Sequence, residues 1–393
     1  MITYKEAINK LWTVAEMCPP KIGKISILDS LNRIIANSVT VNSNLPSFDN
    51  SGLDGFAFRY KDGGSSRFFN SVNKAGDEPL EKPLARGEAV QIMTGAPLPQ
   101  GADSVIAIED TRVDGNTVHF QKIPVSGQAV RKKGTDFTQG KNYLTKGTRL
   151  EPKHIMALAA LGIDKINVFE NLKVSLISTG SEIALTTNSD LQPGKIYNST
   201  MPLLKLLAER DGVDFTYSGN IGDDPGAFQK VVEKILLEEP QLLLTTGAVS
   251  MGTEDYVPKV FDKVGIKKLF HRVAIKPGKP VWCGYKGKTF VIGLPGNPLS
   301  SYIGWKFFVN PYIRKVYFMP DVSKREVSLL NEVKKPEHLR CFYKANLEEN
   351  GVRVLEGQES YKISPLLNSN CFAVLPEGKS VFKKSERVEV YDL

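Results

Sequence analysis

Two stretches in the first third of the chain crowd reactive side chains into apolar surroundings. In Pro46-Ser47-Phe48-Asp49-Asn50-Ser51-Gly52-Leu53-Asp54-Gly55-Phe56-Ala57, two acids and several hydrogen-bonding groups lie between aromatic rings. In the run from Ile92 to Ile106, a strand pattern is broken by Thr94-Gly95-Ala96-Pro97. Packing demands neither arrangement, so both are candidates for binding or catalysis.

A second group of loops follows apolar runs. Ser178-Thr179-Gly180-Ser181-Glu182 ends one such run; Thr245-Thr246-Gly247-Ala248-Val249-Ser250 ends another and leads into Gly252-Thr253-Glu254-Asp255-Tyr256. Gly293-Leu294-Pro295-Gly296-Asn297-Pro298 leads from a strand into a helix, where free N–H groups favour an anion. Taken singly, each loop uses the residues of any βα turn. Three in one domain, two of them ending in acids, point to a phosphate-bearing ligand held with a hard divalent cation such as Mg²⁺. Ile275-Lys276-Pro277-Gly278-Lys279-Pro280 presents two lysines on a Pro-Gly turn, which suits an oxyanion or is a solvated basic hairpin.

These loops need a scaffold. The spacing of Ile8, Leu11, Trp12 and Ala15 predicts a helix over residues 3–17, with Thr3 and Glu6 as a capping box. The pattern from Ser26 to Ile35 predicts a second, short helix. Alternation and Pro/Gly punctuation predict a mainly β stretch up to about Leu150. A helix then begins near Pro152 and ends at Gly162. Beyond it, the runs Val174–Ser178, Phe215–Ser218, Gln241–Thr245 and Phe290–Gly293 are separated by helical patterns at Met201–Arg210 and Ala227–Glu239. Strands alternating with helices imply a mainly parallel sheet, whose ligands lie outside the carboxyl ends of the strands. A helix ends between Lys315 and Met319, and residues 322–393 break into short alternating runs, as expected of a small all-β domain.

Composition narrows the classes. The chain has 393 residues, of which 41% are hydrophobic and 24% charged, an ordinary globular balance. At roughly 100–200 residues per domain, several domains are expected. The longest apolar stretch, Ile155–Ile163, is far short of the roughly 20 residues that span a bilayer. Residues 1–6 lack the basic-then-apolar profile of a signal peptide, so no membrane association and a cytoplasmic location are expected. Lys and Arg exceed Asp and Glu by eight. The basic groupings Arg131-Lys132-Lys133 and Lys267-Lys268 are short and lack interleaved aromatics, so an anionic metabolite is expected rather than nucleic acid. Cys18, Cys283, Cys341 and Cys371 form no Cys-x-x-Cys pair and read as reduced, structural thiols. His119, His154, His271 and His338 have no ligand spacing, and no redox metal centre is expected.

Through Phe48–Gly55, Met93–Pro97, Ser178–Glu182, Lys276–Pro280 and Leu294–Pro298, the chain resembles the molybdopterin molybdenumtransferase family: bacterial MoeA proteins, the E domain of gephyrin, and plant homologues. The resemblance spans essentially the whole chain. It implies a multidomain α/β plus β fold. An N-terminal domain (1–45 and 139–171) carries an inserted β-rich domain (46–138). A mainly parallel α/β molybdopterin-binding domain (172–318) and a C-terminal β-barrel (319–393) follow. It also implies a homodimer, in which Asp54 and Thr94 serve the partner's site.

The implied reaction attaches molybdate to adenylylated molybdopterin, cleaves its phosphoanhydride and releases AMP, after transient contact with a molybdopterin adenylyltransferase. Carried over residue by residue, Asp54, Thr94, Glu182, Asp223 and Asp255 are the implied catalytic set, with Glu182, Asp223 and Asp255 holding Mg²⁺. Asp136, Gly180, Ser250, Lys276, Lys279, Asn297, Ser300, Arg340 and Ser364 are the implied substrate contacts, the lysines, Arg340 and Ser364 for molybdate. Three positions depart from the family pattern. Ala248 replaces the second glycine of a Gly-Gly-Val-Ser motif, and Arg272 replaces a lysine of some members. Lys344 stands where a second arginine is frequent, which bears on the molybdate site. Two other readings remain: a non-catalytic scaffold of the gephyrin type, and an adenylyltransferase acting one step earlier. The latter consists of the α/β domain alone.

Overall fold

The structure is a computed structural model that describes residues 1–80, 82–184, 191–249 and 256–393. Helix α1 (Tyr4–Met17) starts as expected: Thr3 Oγ1 accepts from the Glu6 amide at 3.2 Å, and Glu6 returns a bond to the Thr3 amide at 2.8 Å. Its apolar face buries Ala7, Ile8, Leu11, Val14 and Ala15. The helix predicted over 26–35 does not form. Strand β1 (Ile22–Ser26) pairs outward, and only Ile27–Asp29 makes a single 3₁₀ turn, capped by Ser26. Asn32 at φ 64° cannot continue a right-handed helix, and Ile34 and Ile35 bridge to Arg149 and Val168 instead. Long-range pairing overrides a locally helical pattern here.

The chain divides into two compact units. One comprises residues 37–145 and 152–164. Its sheet contains β2 (Gly55–Phe58), β3 (Ser66–Asn73), β4 (Glu88–Ile92), β5 (Ser104–Ala107), β6 (Thr111–Asp114) and β7 (Thr117–Phe120), in the order β5-β2-β4-β3-β7-β6. Alternate residues face opposite sides: Phe56, Phe58 and Ile106 enter one small core, Ala57, Ile92 and Val105 another. Gly55 has no room for a side chain, because a β-carbon there would strike the Ile106 carbonyl. Helix α2 (Pro152–Ala160) belongs to the same unit, and Gly162 follows it at φ 70°.

The other unit comprises residues 1–36, 146–151 and 165–393. Strand β8 (Lys165–Phe169) pairs antiparallel with β1. The central sheet contains β9 (Lys173–Thr179), β10 (Asp214–Ile221), β11 (Leu242–Thr246) and β12 (Lys267–His271). After the two-residue β13 (Ile275–Lys276), β14 (Trp282–Lys286) and β15 (Thr289–Leu294) complete it. The order is β10-β9-β11-β15-β14-β12; the first four are mutually parallel, and β14 runs antiparallel to both its neighbours, β15 and β12. Leu242 and Leu244 enter the core shared with α1 and α3 (Thr200–Asp211), while Leu243 faces the core shared with α4 (Pro225–Leu237) and α5 (Val257–Lys263). The inner parallel strands β9, β11 and β15 are therefore apolar on both faces, while β10 at the edge is half-exposed.

Helices α6 (Pro298–Gly304) and α7 (Asn310–Val316) are joined without a break by a π-helical segment, Trp305–Val309. Pro311 has no N–H for the carbonyl of Phe307, and the Tyr4 hydroxyl donates to that carbonyl at 3.2 Å.

The C-terminal strands are β16 (Arg325–Ser328), β17 (Arg340–Glu348), β18 (Gly351–Val354), β19 (Cys371–Leu375) and β20 (Arg387–Asp392). They form the sheet β13-β17-β19-β20-β16, with β18 also on β17. A bridge between Leu329, just past β16, and Val352 of β18 closes this sheet on itself, so the C-terminal part is a small barrel. Strand β13 adds to its edge in parallel, with Lys276 opposite Cys341. Among the described residues no helix is long and apolar enough to cross a membrane.

Candidate functional site

The loops at the carboxyl ends of β9, β10, β11 and β15 meet. Gly180, at φ 127°, follows β9, and a β-carbon on it would collide with the Glu182 carboxylate, which folds back over the Gly180 backbone. Asn220 of β10 donates to the Gly180 carbonyl at 3.0 Å. Asp223, in the loop after β10, accepts from the Ser181 amide at 3.2 Å and from the Ser181 hydroxyl at 2.6 Å. Glu182 and Asp223 thus flank Ser181, and both are exposed. The neighbouring Asp224 has a different role: it caps α4 through the amides of Gly226 and Ala227.

Gly247, at φ 91°, sits against Thr179, and a β-carbon there would collide with the Thr179 hydroxyl. Its amide donates to the Leu294 carbonyl at 3.0 Å. A β-carbon on Gly296 would stand 3.5 Å from the Gly247 α-carbon. Gly180 and Gly247 therefore leave no room for a side chain, and Gly296, beside Gly247, is exposed. Ala248 adopts φ 48°, so the position where the family pattern has glycine does need a left-handed backbone. Ser250 and Asp255 lie outside the described residues.

The hydroxyl of Tyr256 donates to the Gly222 carbonyl at 3.0 Å and so ties down the loop that carries Asp223. Burial, then the charges of Asp223 and Asp224, push this phenol up to about 12, so it remains a donor. Sequence reasoning singled out neither Tyr256 nor the Ser181 hydroxyl; the only signal was their place beside Glu254-Asp255 and Glu182.

Further along the same unit, Asn297 is the extended residue before α6 and makes no side-chain cap, while Ser300 in the first turn is buried. Gly278, at φ 96°, would carry a β-carbon 3.7 Å from the Ser300 carbonyl, so the Lys276–Lys279 turn abuts the start of α6. Lys276 is exposed and Lys279 half-buried. The turn is thus no free hairpin but an edge strand of the C-terminal barrel. Arg340, opposite Ile275, is shared by Glu377 at 3.5 Å and Glu389 at 3.4 Å and lies 5.1 Å over the Tyr4 ring, so much of its charge is already matched. Ser364 is exposed at the start of the 3₁₀ turn Ser364–Asn368. Lys344 does not reach the surface at all: its ammonium donates to main-chain carbonyls of the 357–362 loop.

In the other unit, the two N-terminal motifs interlock. Asp54 Oδ1 accepts from both the amide and the hydroxyl of Thr94, each at 2.7 Å, and these bonds, the amide first, hold its carboxyl below the usual carboxylate range. The Ser51 carbonyl receives the Gly95 amide at 2.8 Å, with Gly95 at φ 83°. Asp49 is consumed by Lys132 and by the Lys133 amide. Asp136 is exposed on the segment paired with Leu45.

Among the described residues no group of three or more His, Cys, Asp or Glu is placed to hold a metal. Glu182 and Asp223 do fit a hard divalent cation that takes one or two carboxylates and completes its shell with phosphate and water.

A mainly parallel α/β sheet with glycine-tipped, acid-bearing loops at its strand ends, joined to a small barrel through a dilysine turn, defines a multidomain α/β protein with a β-barrel at its C-terminal end. Residues 2–162 match the MoeA N-terminal region (domains I and II), residues 175–315 a probable molybdopterin-binding domain, and residues 326–393 the MoeA C-terminal region (domain IV). The molybdopterin molybdenumtransferase of Synechococcus elongatus is 33% identical over 410 aligned residues, covering all of both chains. That of Bacillus subtilis is 32% identical over 93% of this chain and 88% of its own. The molybdopterin biosynthesis MoeA protein of Pyrococcus horikoshii superposes with a TM-score of 0.86 at 26% identity, covering both chains fully. The chain belongs to the MoeA, or molybdopterin molybdenumtransferase, family.

Proposed function

We propose that this chain inserts molybdate into adenylylated molybdopterin, with hydrolysis of the phosphoanhydride and release of AMP. The observation that carries this reading is the turn after β9. There Glu182 and Asp223, both exposed, flank Ser181 beside the Gly180 and Gly247 turns, which have no room for a side chain. Relatives that carry the transferase name span the whole chain, so neither a scaffold nor the single-domain adenylyltransferase is favoured.

Each residue then has a task. The turns at Gly180 and Gly247, with Ser250, receive the pterin phosphate, and Asn297 and Ser300 line the same cleft. Glu182, Asp223 and Asp255 hold Mg²⁺, which when bound neutralises the anhydride oxygens. Asp54, kept ionised by Thr94, serves the partner subunit's site in this reading, where it accepts a hydrogen bond from the attacking water, and Asp136 is a supporting polar group. The water oxygen bonds to phosphorus, the bridging oxygen departs with AMP, and the water proton passes to solvent. Lys276 and Lys279 attract the molybdate dianion by charge, and Arg340 and Ser364 offer it N–H and O–H donors. Molybdenum bonds to the two dithiolene sulfurs, and their protons leave with one molybdate oxygen as water.

Other features of the reading are a cytoplasmic homodimer, a passing contact with the adenylyltransferase that supplies the substrate, and no role for nucleic acid or membrane. The domain limits are 1–45 with 139–171, 46–138, 172–318 and 319–393. AMP release from adenylylated molybdopterin, with and without molybdate and Mg²⁺, tests the reaction. Release by the wild type should be stimulated by molybdate, reduced by chelation of Mg²⁺, and abolished by Asp54→Ala or Glu182→Ala. A folded wild-type protein that releases no AMP sinks the reading. Sedimentation of the same preparation should give the mass of two chains.

A further inference from the structure

Lys344 is among the largest side chains fully buried in the molecule, yet it carries an ammonium. Its three N–H donors are matched by three backbone carbonyls: Gly357 at 2.6 Å, Lys362 at 2.9 Å and Glu359 at 3.5 Å. The main chain of the same residue is held from the other side. Gln358 Nε2 donates to the Lys344 carbonyl at 2.9 Å, Gln358 Oε1 accepts from its amide at 3.0 Å, and the Leu355 amide adds a bond to the carbonyl at 3.0 Å. One strand residue thus ties down the whole 355–362 loop, which runs directly into Ser364.

The edge on which this happens matters. In β17, amide groups of residues of like parity point to one edge. Arg340 donates its amide to Ala274 beside β13, and Lys344 donates to Gln358, so β13 and the loop occupy the same edge of β17. Lys276 stands opposite Cys341, three residues from Lys344, or about 10 Å along the strand. The loop leading to Ser364 therefore starts beside the strand that ends in Lys276.

We infer that Lys344 is a positioning residue: its buried ammonium fastens the 357–362 loop to β17, so that Ser364 is delivered to the oxyanion site of Lys276 and Lys279. This rests on the transferase reading for what the site binds. Lys344 touches no substrate in this account. A cation suits the position because a single side chain must satisfy several inward-facing carbonyls at once, which no neutral residue of its length does.

Lys344→Met keeps the stem and removes the donors. The folded variant should be cut at the exposed Tyr361 by chymotrypsin about tenfold faster than the wild type. Its KM for molybdate in AMP release should rise about tenfold, with kcat at saturating molybdate within about twofold of wild type. Unchanged cleavage, or faster cleavage with an unchanged KM, overturns the proposal, as does a loss confined to kcat. If Lys344→Met does not fold, Gln358→Leu decides. It removes the loop-side half of the tie at a half-buried position and must show the same two changes. A wild type without AMP release defeats the transferase reading alone, since the proteolysis still tells whether Lys344 fastens the loop.

Discussion

Asp54 receives two short hydrogen bonds from one residue, and only one of them depends on a side chain that mutation can remove. Thr94→Val deletes the hydroxyl donor and leaves the amide in place. The Asp54 carboxyl should then titrate closer to the ordinary carboxylate range, higher than in the wild type. Because the ionised form is the one required, activity is lost as pH falls through the folded-state value. The acid limb of the AMP-release profile should therefore move to higher pH in Thr94→Val, while activity above neutrality changes little. An acid limb that stays in place would show that Asp54 does not govern it. The two motifs that supply this pair were visible in the sequence as crowded polar segments, but only the fold joins Thr94 to Asp54 across 40 positions.

At the scale of the element, the β11 turn is held in a strained conformation. Ala248 has φ 48°, which costs a residue with a β-carbon about 1 kcal/mol relative to glycine. Ala248→Gly should raise the unfolding free energy by up to about 1 kcal/mol in urea titration, less whatever entropy glycine loses on folding. A destabilised variant would mean that the alanine methyl, packed against the Val249 and Tyr256 core, outweighs the strain. The departure from Gly-Gly-Val-Ser was evident in the sequence; that the position is left-handed was not, because φ depends on where the turn must deliver the chain. The same reasoning explains residues 26–35. Their helical periodicity was real, but pairing of Ile22–Ser26 with Lys165–Phe169 and the left-handed Asn32 redirected the segment.

Across the whole molecule, distant segments converge on Lys306 of the π-helical stretch, a buried lysine beside Arg210, Asp211 and Asp392. Burial, reinforced by Arg210, lowers its ammonium from 10.5 to about 8, while Asp392 and Asp211 oppose the shift. In the window from about pH 8 to 10.5 the unfolded chain binds more protons than the folded one, so the Lys306 contribution grows more favourable as pH rises. Below pH 8 both states are protonated and the full penalty stands. Lys306→Met should therefore stabilise the protein at pH 7, by about 3 kcal/mol at most, and the gain should shrink as pH approaches 10.5. Urea unfolding at pH 7 and pH 10 measures both; a gain independent of pH would assign the effect to packing instead.

Local chemistry sufficed for much of this protein: the capping box of α1, the apolar runs that became β9, β11 and β15, the β-rich stretch before Leu150, and the ordered motifs that mark the family. These depend on residues within a few positions of one another, or on patterns that survive without coordinates. What the tertiary structure alone decided depends on contacts between remote segments. It set Asp223 on Ser181, turned the Lys276 segment into an edge strand of the C-terminal barrel, committed Arg340 to two glutamates, and drew Lys344 inward to hold a loop. Lysine is almost always a surface residue, so nothing in its neighbours along the chain announces burial. Only the inward-facing carbonyls of Gly357, Glu359 and Lys362, brought together by the fold, make that position stable for a charge.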